Sequence, residues 1–401
     1  MRGETAAQMI RRLRKAKGWS QARLARETCR AAGVALDTLG RQEIYRYEKA
    51  TRTPREWLPF LAAALGVPVV ELEAAAATRA EEATPATIAD FLPDGDPLAP
   101  LASRLGRRVG KAQVGDLERR VHGLRLADDV LAGGDLMGPA LRELRSAVRL
   151  FREGSHSEEV GRALLQAIGE LAQIAGWIAS DAGQHTEAER IYRLGLSAAH
   201  TAGDATLAGN LLGSLAYQRT NTGDVREGLT MARAALQGAA EAPPRARALY
   251  WDRVAWAHTK VGEAQPAMRA LGEAGEALGE HGGEEEPDYL YWVDAGELQV
   301  MESRVYTELR RPLRAVPLLR DVLGRYDATH TRELALYLSW LAVAYADANE
   351  PEAAAATAER VITLSADVAS ERTAERVRVV LTRLEDFRDV PEVRDVLDSA
   401  A

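Results

Sequence analysis

The apolar residues of this chain recur three and four positions apart over most of its length, and the alternation typical of strands is scarce. That spacing puts the apolar side chains on one face of successive helices. Alanine and leucine, which are strong helix formers, are abundant, whereas aromatic residues make up only 5% of the 401 residues. We therefore predict an all-α protein.

The first eighty residues predict a small bundle of helices. Ile10 and Leu13 give the first helix one apolar face, and Ser20 is placed to cap the second helix through its hydroxyl. Ile44 and Tyr47 lie three apart and predict the buried face of a third helix. The other face of that helix carries side chains that could reach a partner: Arg41, Gln42, Tyr45 and Arg46.

Three motifs in this region occur in the order and spacing of a known family. They are W-S-Q-x-x-L-A at residues 19–25, I-x-x-Y-E-K at residues 44–49, and the T-P-x-x-x-L that begins at Thr53. Together they resemble the DNA-binding domain of the Cro/repressor (XRE) helix-turn-helix regulators. The resemblance implies that residues 1–80 form a helix-turn-helix bundle that binds double-stranded DNA, with the third helix as its recognition helix.

The resemblance also implies roles for individual side chains. Arg41, Gln42, Tyr45 and Arg46 would contact base edges, because arginine can bond guanine and glutamine can bond adenine through two hydrogen bonds. The phosphates would be contacted by Gln21, Arg23 and Arg52. Residues 28–40 depart from the family, since they predict a turn longer than usual between the second and third helices. We therefore expect an unusual angle for the recognition helix.

The distribution of charge agrees with a DNA-binding head. Residues 1–60 contain fourteen Lys and Arg and six Asp and Glu, a net charge of +8. Because the whole chain carries −8, residues 61–401 carry −16. Lysine and arginine release condensed counterions when they neutralise phosphates, so a basic head on an acidic body suits this role. The alternative is that the basic residues form only a solvated surface.

Two stretches separate the head from the rest of the chain. Residues 81–100 contain four prolines and an acidic bias, which predicts a linker. Helical patterning resumes afterwards, and we predict a helical connector or cap over residues 101–160.

From residue 161 onward the sequence repeats. Turn residues recur at intervals of 40, 39, 48 and 39, at Gly183, Gly223, Gly262, Arg310 and Asn349. A small residue follows each by five positions, at Ala188, Gly228, Ala267, Ala315 and Ala354. Another precedes each by seven, at Gly176, Ala216, Ala255, Ser303 and Ala342. Small residues are needed where paired helices cross closely, so the pattern predicts stacked helical hairpins.

These offsets are similar to those of the tetratricopeptide repeat (TPR), and we predict a TPR-like α-solenoid over residues 161–401. In TPR proteins the first helix of each hairpin lines a concave groove. The resemblance implies ligand-binding positions at Gln173, Trp177, Asn210, Tyr217, Asn221, Asp252, Trp256, Lys260 and Arg304, with inward carboxylates at Glu170, Asp181, Glu297 and Glu308.

Three of these positions predict a row of aromatic rings. Trp177, Tyr217 and Trp256 occupy the same place in successive hairpins. Rings and amides together suit a peptide or a small organic molecule, since rings supply contact area and amides supply hydrogen bonds. The alternative is that the rings only pack between hairpins.

Several classes of protein are disfavoured. The chain contains no P-loop, H-E-x-x-H, G-x-S-x-G or strand-linked G-x-G-x-x-G motif, and its seven histidines do not pair at metal-ligand spacing. We expect no enzyme activity, no cofactor and no metal site. The single cysteine, Cys29, excludes an internal disulfide and is predicted to pack in the second helix. No apolar run is long enough to cross a bilayer and no signal-peptide pattern is present, so we expect a cytoplasmic protein.

Two functions remain at this point. The first is a sequence-specific transcriptional regulator that binds an operator as a homodimer and senses a peptide or small molecule through its TPR-like domain. This layout resembles the peptide-pheromone-sensing regulators. The second is a protein-interaction scaffold whose groove binds a partner protein, with weak or accessory DNA binding.

Overall fold

The computed structural model describes residues 6–49, 54, 57–77, 85–93, 97–98, 108–280, 286–326, 330–366, 368 and 370–400. Two compact units divide the chain, Met1–Pro85 and Ala86–Ala401. Among its described residues, the first unit contains five α-helices: α1 Ala6–Ala16, α2 Gln21–Ala32, α3 Arg41–Glu48, α4 Leu58–Leu65 and α5 Val69–Ala77.

The second unit contains fourteen α-helices among its described residues. They are α6 Lys111–Val130, α7 Gly133–Glu153, α8 Glu158–Asp181, α9 His185–Ala202, α10 Ala205–Thr222, α11 Val225–Gly238, α12 Pro244–Lys260, α13 Ala264–Gly279, α14 Ala295–Glu308, α15 Pro312–Leu323, α16 Thr331–Asp347, α17 Pro351–Ser365, α18 Glu371–Leu384 and α19 Pro391–Ser399. The only β-type pairing in the described parts of the chain is a single bridge between Arg108 and Ser155. The all-α prediction is confirmed. No described helix has both the length and the apolar character needed to cross a membrane.

The first unit is a helical bundle around a small apolar core. Ile10, Leu24, Ile44, Leu61 and Leu72 are fully buried and come from five different helices. The second helix begins as predicted, because the Ser20 hydroxyl accepts a hydrogen bond from the Arg23 backbone N–H at 3.2 Å. The helix-turn-helix bundle therefore forms with the order of elements that the motifs predict.

The turn before α3 is shorter than the sequence predicts. Residues 28–32 continue α2, which ends at Gly33 in the left-handed conformation with φ 68°. The prediction of a turn over residues 28–40 was wrong in its first five residues. Cys29 is buried in the last turn of α2, and its sulfur accepts a hydrogen bond from the Leu39 N–H at 3.3 Å. Cys29 thus holds the true turn, residues 33–40, against the bundle.

The second unit contains the predicted helical hairpins: α8 with α9, α10 with α11, α12 with α13, α14 with α15, and α16 with α17. All five predicted turn residues have positive φ: Gly183 75°, Gly223 127°, Gly262 82°, Arg310 53° and Asn349 61°. A left-handed residue ends one helix sharply and lets the next fold back along it. The repeat register is confirmed, and the unit is a TPR-like α-solenoid.

The predicted small residues lie where the paired helices touch. Ala188, Ala267, Ala315 and Ala354 have no exposed surface. A Cβ placed on Gly176 would lie 2.6 Å from the Tyr192 ring, so this position admits no larger residue.

Additional segments pack against the hairpins at both ends of the unit. The helices α6 and α7 pack on α8, and α18 and α19 pack on α17. Within the interval predicted as a linker, Ile88–Phe91 form a short 3-10 helix against α10 and α11. The Phe91 carbonyl accepts a hydrogen bond from Arg193 at 2.9 Å. The described part of this interval is therefore docked on the solenoid.

A buried polar cluster joins the beginning of the second unit to its end. Arg332 in α16 donates to the Asp128 carboxylate in α6 at 3.1 Å and lies 3.5 Å from the Asp181 carboxylate in α8. Asp181 also accepts hydrogen bonds at 3.0 Å from the Ser370 hydroxyl and the Gly133 N–H. These contacts link α6, α8, α16 and the start of α18 beside the concave side of the solenoid.

Candidate functional site

The outer face of α3 is exposed as the sequence predicts. Ile44 and Tyr47 hold the helix in the core, whereas Arg41, Gln42, Tyr45 and Arg46 lie on the solvent side. Tyr45 has 51% of its surface exposed, with the Lys49 ammonium 6.0 Å from its ring centroid. Arg46 forms an ion pair with Glu43 at 2.5 Å. The four predicted base-contacting residues therefore share one accessible face.

The base of this surface is fixed by the carboxylate of Glu48, whose side chain is only 4% exposed. Arg14 donates to Glu48 at 3.0 Å and Gln21 donates to it at 2.8 Å, so α1, α2 and α3 meet at one carboxylate. Gln21, a predicted phosphate contact, thus uses its amide N–H inside the bundle.

The other predicted phosphate contacts lie elsewhere. Arg23 is exposed, with its guanidinium 5.3 Å from the centroid of the Trp19 ring. Arg52 lies outside the described residues.

The concave side of the solenoid contains a cavity of about 420 Å³. This volume lies within the range of pockets that hold drug-sized molecules. The structure brings together five of the predicted ligand-binding residues on its wall: Gln173, Trp177, Asn210, Tyr217 and Arg304. Of the four inward carboxylates, Glu297 lines the cavity, Asp181 belongs to the buried polar cluster, Glu308 pairs with Lys260, and Glu170 lies 3.8 Å from the Arg125 guanidinium.

The other four predicted ligand-binding residues do not line the cavity. Trp256 is 4% exposed, and its indole N–H donates to the Asn221 side chain at 3.0 Å. Asp252 is buried beside Arg253 at 3.2 Å, and the Lys260 ammonium bonds Glu308 at 2.5 Å. Trp256 and Asp252 are buried, whereas Asn221 is exposed near the end of α10, and each of the four side chains has a protein partner.

The predicted aromatic row is present and continues into a fourth ring. Ring centroids are 5.9 Å apart between Trp177 and Tyr217, 6.4 Å between Tyr217 and Trp256, and 5.8 Å between Trp256 and Trp340. Trp177 and Tyr217 line the cavity, whereas Trp256 and Trp340 belong to a buried apolar cluster. Half of the row therefore faces the cavity and half packs between hairpins.

Arginines lie over the rings that face the cavity. The guanidinium carbons of Arg253 and Arg304 are 4.5 and 5.4 Å from the Tyr217 centroid, and that of Arg372 is 5.2 Å from the Trp177 centroid. These are cation–π distances, and Arg304 also donates a hydrogen bond to the Tyr217 hydroxyl.

The charge of these arginines changes the acidity of Tyr217. Burial by itself raises the pKa of the phenol, but the positive charges of Arg304, Arg372 and Arg253 and the hydrogen bond from Arg304 favour the phenolate. The balance lowers the pKa of Tyr217 to about 8. The cavity therefore holds an excess of positive charge around this ring.

A second part of the cavity is lined by carboxyl groups that accept hydrogen bonds from phenols. Tyr337 donates to Glu297, Tyr326 donates to Glu333, and Tyr291 donates to Asp129. Burial and the nearby charge of Glu333 raise the pKa of Glu297 to about 7. This part of the lining is acidic.

Several cavity residues could not be found from the repeat pattern. Asp129 comes from α6, which precedes the hairpins, and Arg372 comes from α18, which follows them. Arg253 and Glu333 lie in the first helices of their hairpins, α12 and α16. Their positions in the repeat could have predicted them, but they were not among the predicted ligand-binding residues. Nothing local in the sequence indicates that α6 and α18 close over the groove.

The comparisons with known proteins give the following. No family model matches the chain, and no curated protein matches it. Among solved structures, the chain is similar to PlcR of Bacillus thuringiensis, solved in complex with the peptide PapR7 and DNA. The alignment covers 90% of this chain and 99% of that one, at 10% identity and a TM-score of 0.30. At such a TM-score the architecture rests on the helices described above and not on the likeness.

Proposed function

We propose that this protein is a sequence-specific DNA-binding transcriptional regulator of the XRE helix-turn-helix type, and that its TPR-like unit senses a peptide or small-molecule effector. The observation that carries the proposal is the outer face of α3. It presents Arg41, Gln42, Tyr45 and Arg46 to solvent on a helix anchored through Ile44 and Tyr47. Arginine and glutamine on an exposed helix can read base edges in the major groove.

The charge of the first sixty residues supports the same role. Their net charge of +8 contrasts with −16 for the remainder of the chain. Phosphate contacts by such a surface give strong, salt-dependent affinity, whereas an acidic solenoid is repelled by DNA. DNA binding is therefore assigned to the first unit.

The cavity on the concave side supports sensing of a small effector by the second unit. It is lined by rings, amides and charged groups that come from helices at both ends of the solenoid. An effector that prefers one arrangement of these helices would shift the population toward it. In a homodimer that binds two half-sites, such a shift would change the spacing of the two heads and thereby the joint affinity for DNA.

The proposal gives the chain a cytoplasmic location, an operator and an effector as partners, and no catalytic activity. The competing role as a protein-interaction scaffold needs an open groove for a partner segment. A cavity of about 420 Å³, within the size range of pockets that hold drug-sized molecules, favours a small effector instead.

The proposal is tested by measuring the affinity of the full chain for DNA fragments that it enriches from a random pool. A split, approximately palindromic site, together with an affinity that falls steeply with salt, is expected for a dimeric regulator. Weak binding to every fragment, without enrichment, would instead favour the scaffold role.

A further inference from the structure

Two sets of charged side chains of opposite sign can be distinguished in the cavity lining, which also includes Arg125, Asp128, Asp294, Arg325 and His330. We define the cationic end by the guanidinium groups around Trp177 and Tyr217, which belong to Arg253, Arg304 and Arg372. We define the acidic end by the carboxyl groups that accept phenolic hydrogen bonds, which belong to Asp129, Glu297 and Glu333. All six residues line the same cavity.

The cationic end lacks enough negative charge of its own. Arg253 pairs with Asp252 at 3.2 Å, but within the described chain neither Arg304 nor Arg372 forms an ion pair. An anionic ligand group at this end of the cavity would make charge-assisted hydrogen bonds with these guanidinium groups.

The acidic end lacks a cationic side chain that pairs with its carboxyl groups. Over the described parts of the chain, Asp129, Glu297 and Glu333 have no Lys, Arg or His within ion-pair distance, and their hydrogen bonds come from neutral phenols. The like charge of Glu333 acts on Glu297. An ammonium group placed among these carboxyls would make charge-assisted hydrogen bonds and relieve that repulsion.

One helix sets the distance between the two ends. Glu297 and Arg304 lie seven residues apart in α14, which places both side chains on one face with about 10 Å of rise between them. The wall near these ends also carries the rings of Trp177 and Trp292. A ligand that reaches both ends must therefore carry its two charges several bonds apart, because an α-amino acid holds both on one carbon.

We infer that the cavity binds a small zwitterion whose anionic group lies at the cationic end, whose ammonium lies at the acidic end, and whose apolar chain or ring packs against the aromatic wall. This inference deepens the proposed function, and it rests on that function only in naming the zwitterion as the effector.

The test is calorimetric titration of the full chain with a graded series of zwitterions. The series consists of β-alanine, γ-aminobutyrate, ε-aminocaproate and the rigid para-(aminomethyl)benzoate. Affinity is expected to rise with the separation of the charges. For the best member, acetylation of the amine or amidation of the carboxylate should each weaken binding about tenfold or more, the effect of losing one charge-assisted contact.

Variants assign each end separately. Arg372→Gln should weaken the zwitterion about tenfold and leave the affinity of its amidated form unchanged. Glu297→Gln should weaken the zwitterion and leave its N-acetyl form unchanged. Arg388→Gln, which alters an exposed ion pair of the C-terminal segment, should change none of these affinities. Equal binding of blocked and unblocked forms, or no binding of any member at millimolar concentration, would overturn the inference.

Adding the best zwitterion to the DNA-binding assay separates this inference from the proposed function. A zwitterion that binds without changing DNA affinity would support the inferred ligand class and contradict the proposed sensing role. If the protein enriches a DNA site but binds no zwitterion, the proposed DNA-binding function is supported and the inferred ligand class is contradicted.

Discussion

Arg332 and Asp128, which lie 204 positions apart in the sequence, share two hydrogen bonds between guanidinium and carboxylate, at 3.1 and 3.2 Å, inside the second unit. Both side chains are almost fully buried, and Asp181 lies 3.5 Å from the same guanidinium. The pair joins α6 to α16, and Asp128 also lines the cavity. An ion pair in this position is expected to matter most when one partner is removed, because the other charge then remains buried.

Replacing Arg332 by methionine tests this role. The change leaves Asp128 and Asp181 buried without their cation, so the free energy of unfolding of the second unit should fall by about 3–5 kcal/mol. Arg388→Met is the matched control, because Arg388 pairs with Glu385 at the surface and should contribute at most about 1 kcal/mol. Denaturant unfolding of both variants makes the comparison, and equal small losses would contradict the buried cluster's role.

Truncation of Trp256 should lower the stability of the second unit far more than truncation of Arg372. Trp256→Ala removes a buried ring that contacts Tyr217 and Trp340, so stability should fall by about 3–5 kcal/mol. Arg372→Ala removes a guanidinium whose contact is the Trp177 face, so the loss should stay below about 1 kcal/mol. Thermal unfolding measures both. A stable Trp256→Ala variant would show that this ring is not part of the core.

Tyr217 should ionise earlier than an ordinary tyrosine. Its pKa of about 8 predicts a phenolate step in an ultraviolet absorbance titration near that pH, absent from Tyr217→Phe. Removing the charge of the hydrogen-bond donor in Arg304→Gln should move the step to higher pH. A titration of the wild type without this step would contradict the positive charge assigned to the cationic end.

The same phenol predicts a pH dependence of stability. Because the folded pKa is depressed, the contribution of Tyr217 is present above the unfolded pKa and is lost as pH falls through the folded value. The free energy of unfolding of the wild type, measured relative to Tyr217→Phe, should therefore rise between about pH 8 and pH 10. One proton limits the slope to about 1.4 kcal/mol per pH unit. A difference that stays flat over this interval would contradict the depressed pKa.

Gln21 should contribute to the stability of the first unit in the absence of DNA. Gln21→Ala removes a hydrogen bond to the buried Glu48 carboxylate, which should destabilise α1–α3 by about 1–2 kcal/mol. Arg26→Ala, on the exposed side of α2, is the control and should leave stability unchanged. Amide hydrogen exchange in the first unit measures the difference. Identical exchange in the two variants would show that Gln21 does not stabilise the first unit, and phosphate contact would remain as its predicted role.

The sequence predicted the parts of the fold that depend on local features. Gly183, Gly223 and Gly262 mark hairpin turns because glycine tolerates a positive φ, and the small residues mark helix contacts because a larger side chain would clash there. Arg310 and Asn349 were found from their spacing, since their residue types alone do not require positive φ.

The candidate sites were less predictable, for a physical reason. Trp177 and Tyr217 were placed at the cavity by their register, but the same register put Trp256 there although the next hairpin covers it. Asp129 and Arg372 reach the cavity through closure between distant helices, which depends on the buried contacts of Arg332 and Ser370. The extent of the α2–α3 turn was also missed, although Arg30, Ala31 and Ala32 favour a helix and Gly33 can end one.

The proposed DNA-binding function depends most directly on the outer face of α3. The decisive measurement is enrichment from a random DNA pool, carried out in parallel with the wild-type chain and the Arg41→Ala/Arg46→Ala variant. The account predicts one enriched motif for the wild type, and for the variant the loss of that motif with a folded first unit, since both side chains are exposed. Enrichment of the same motif by both proteins, with equal affinity, would contradict it.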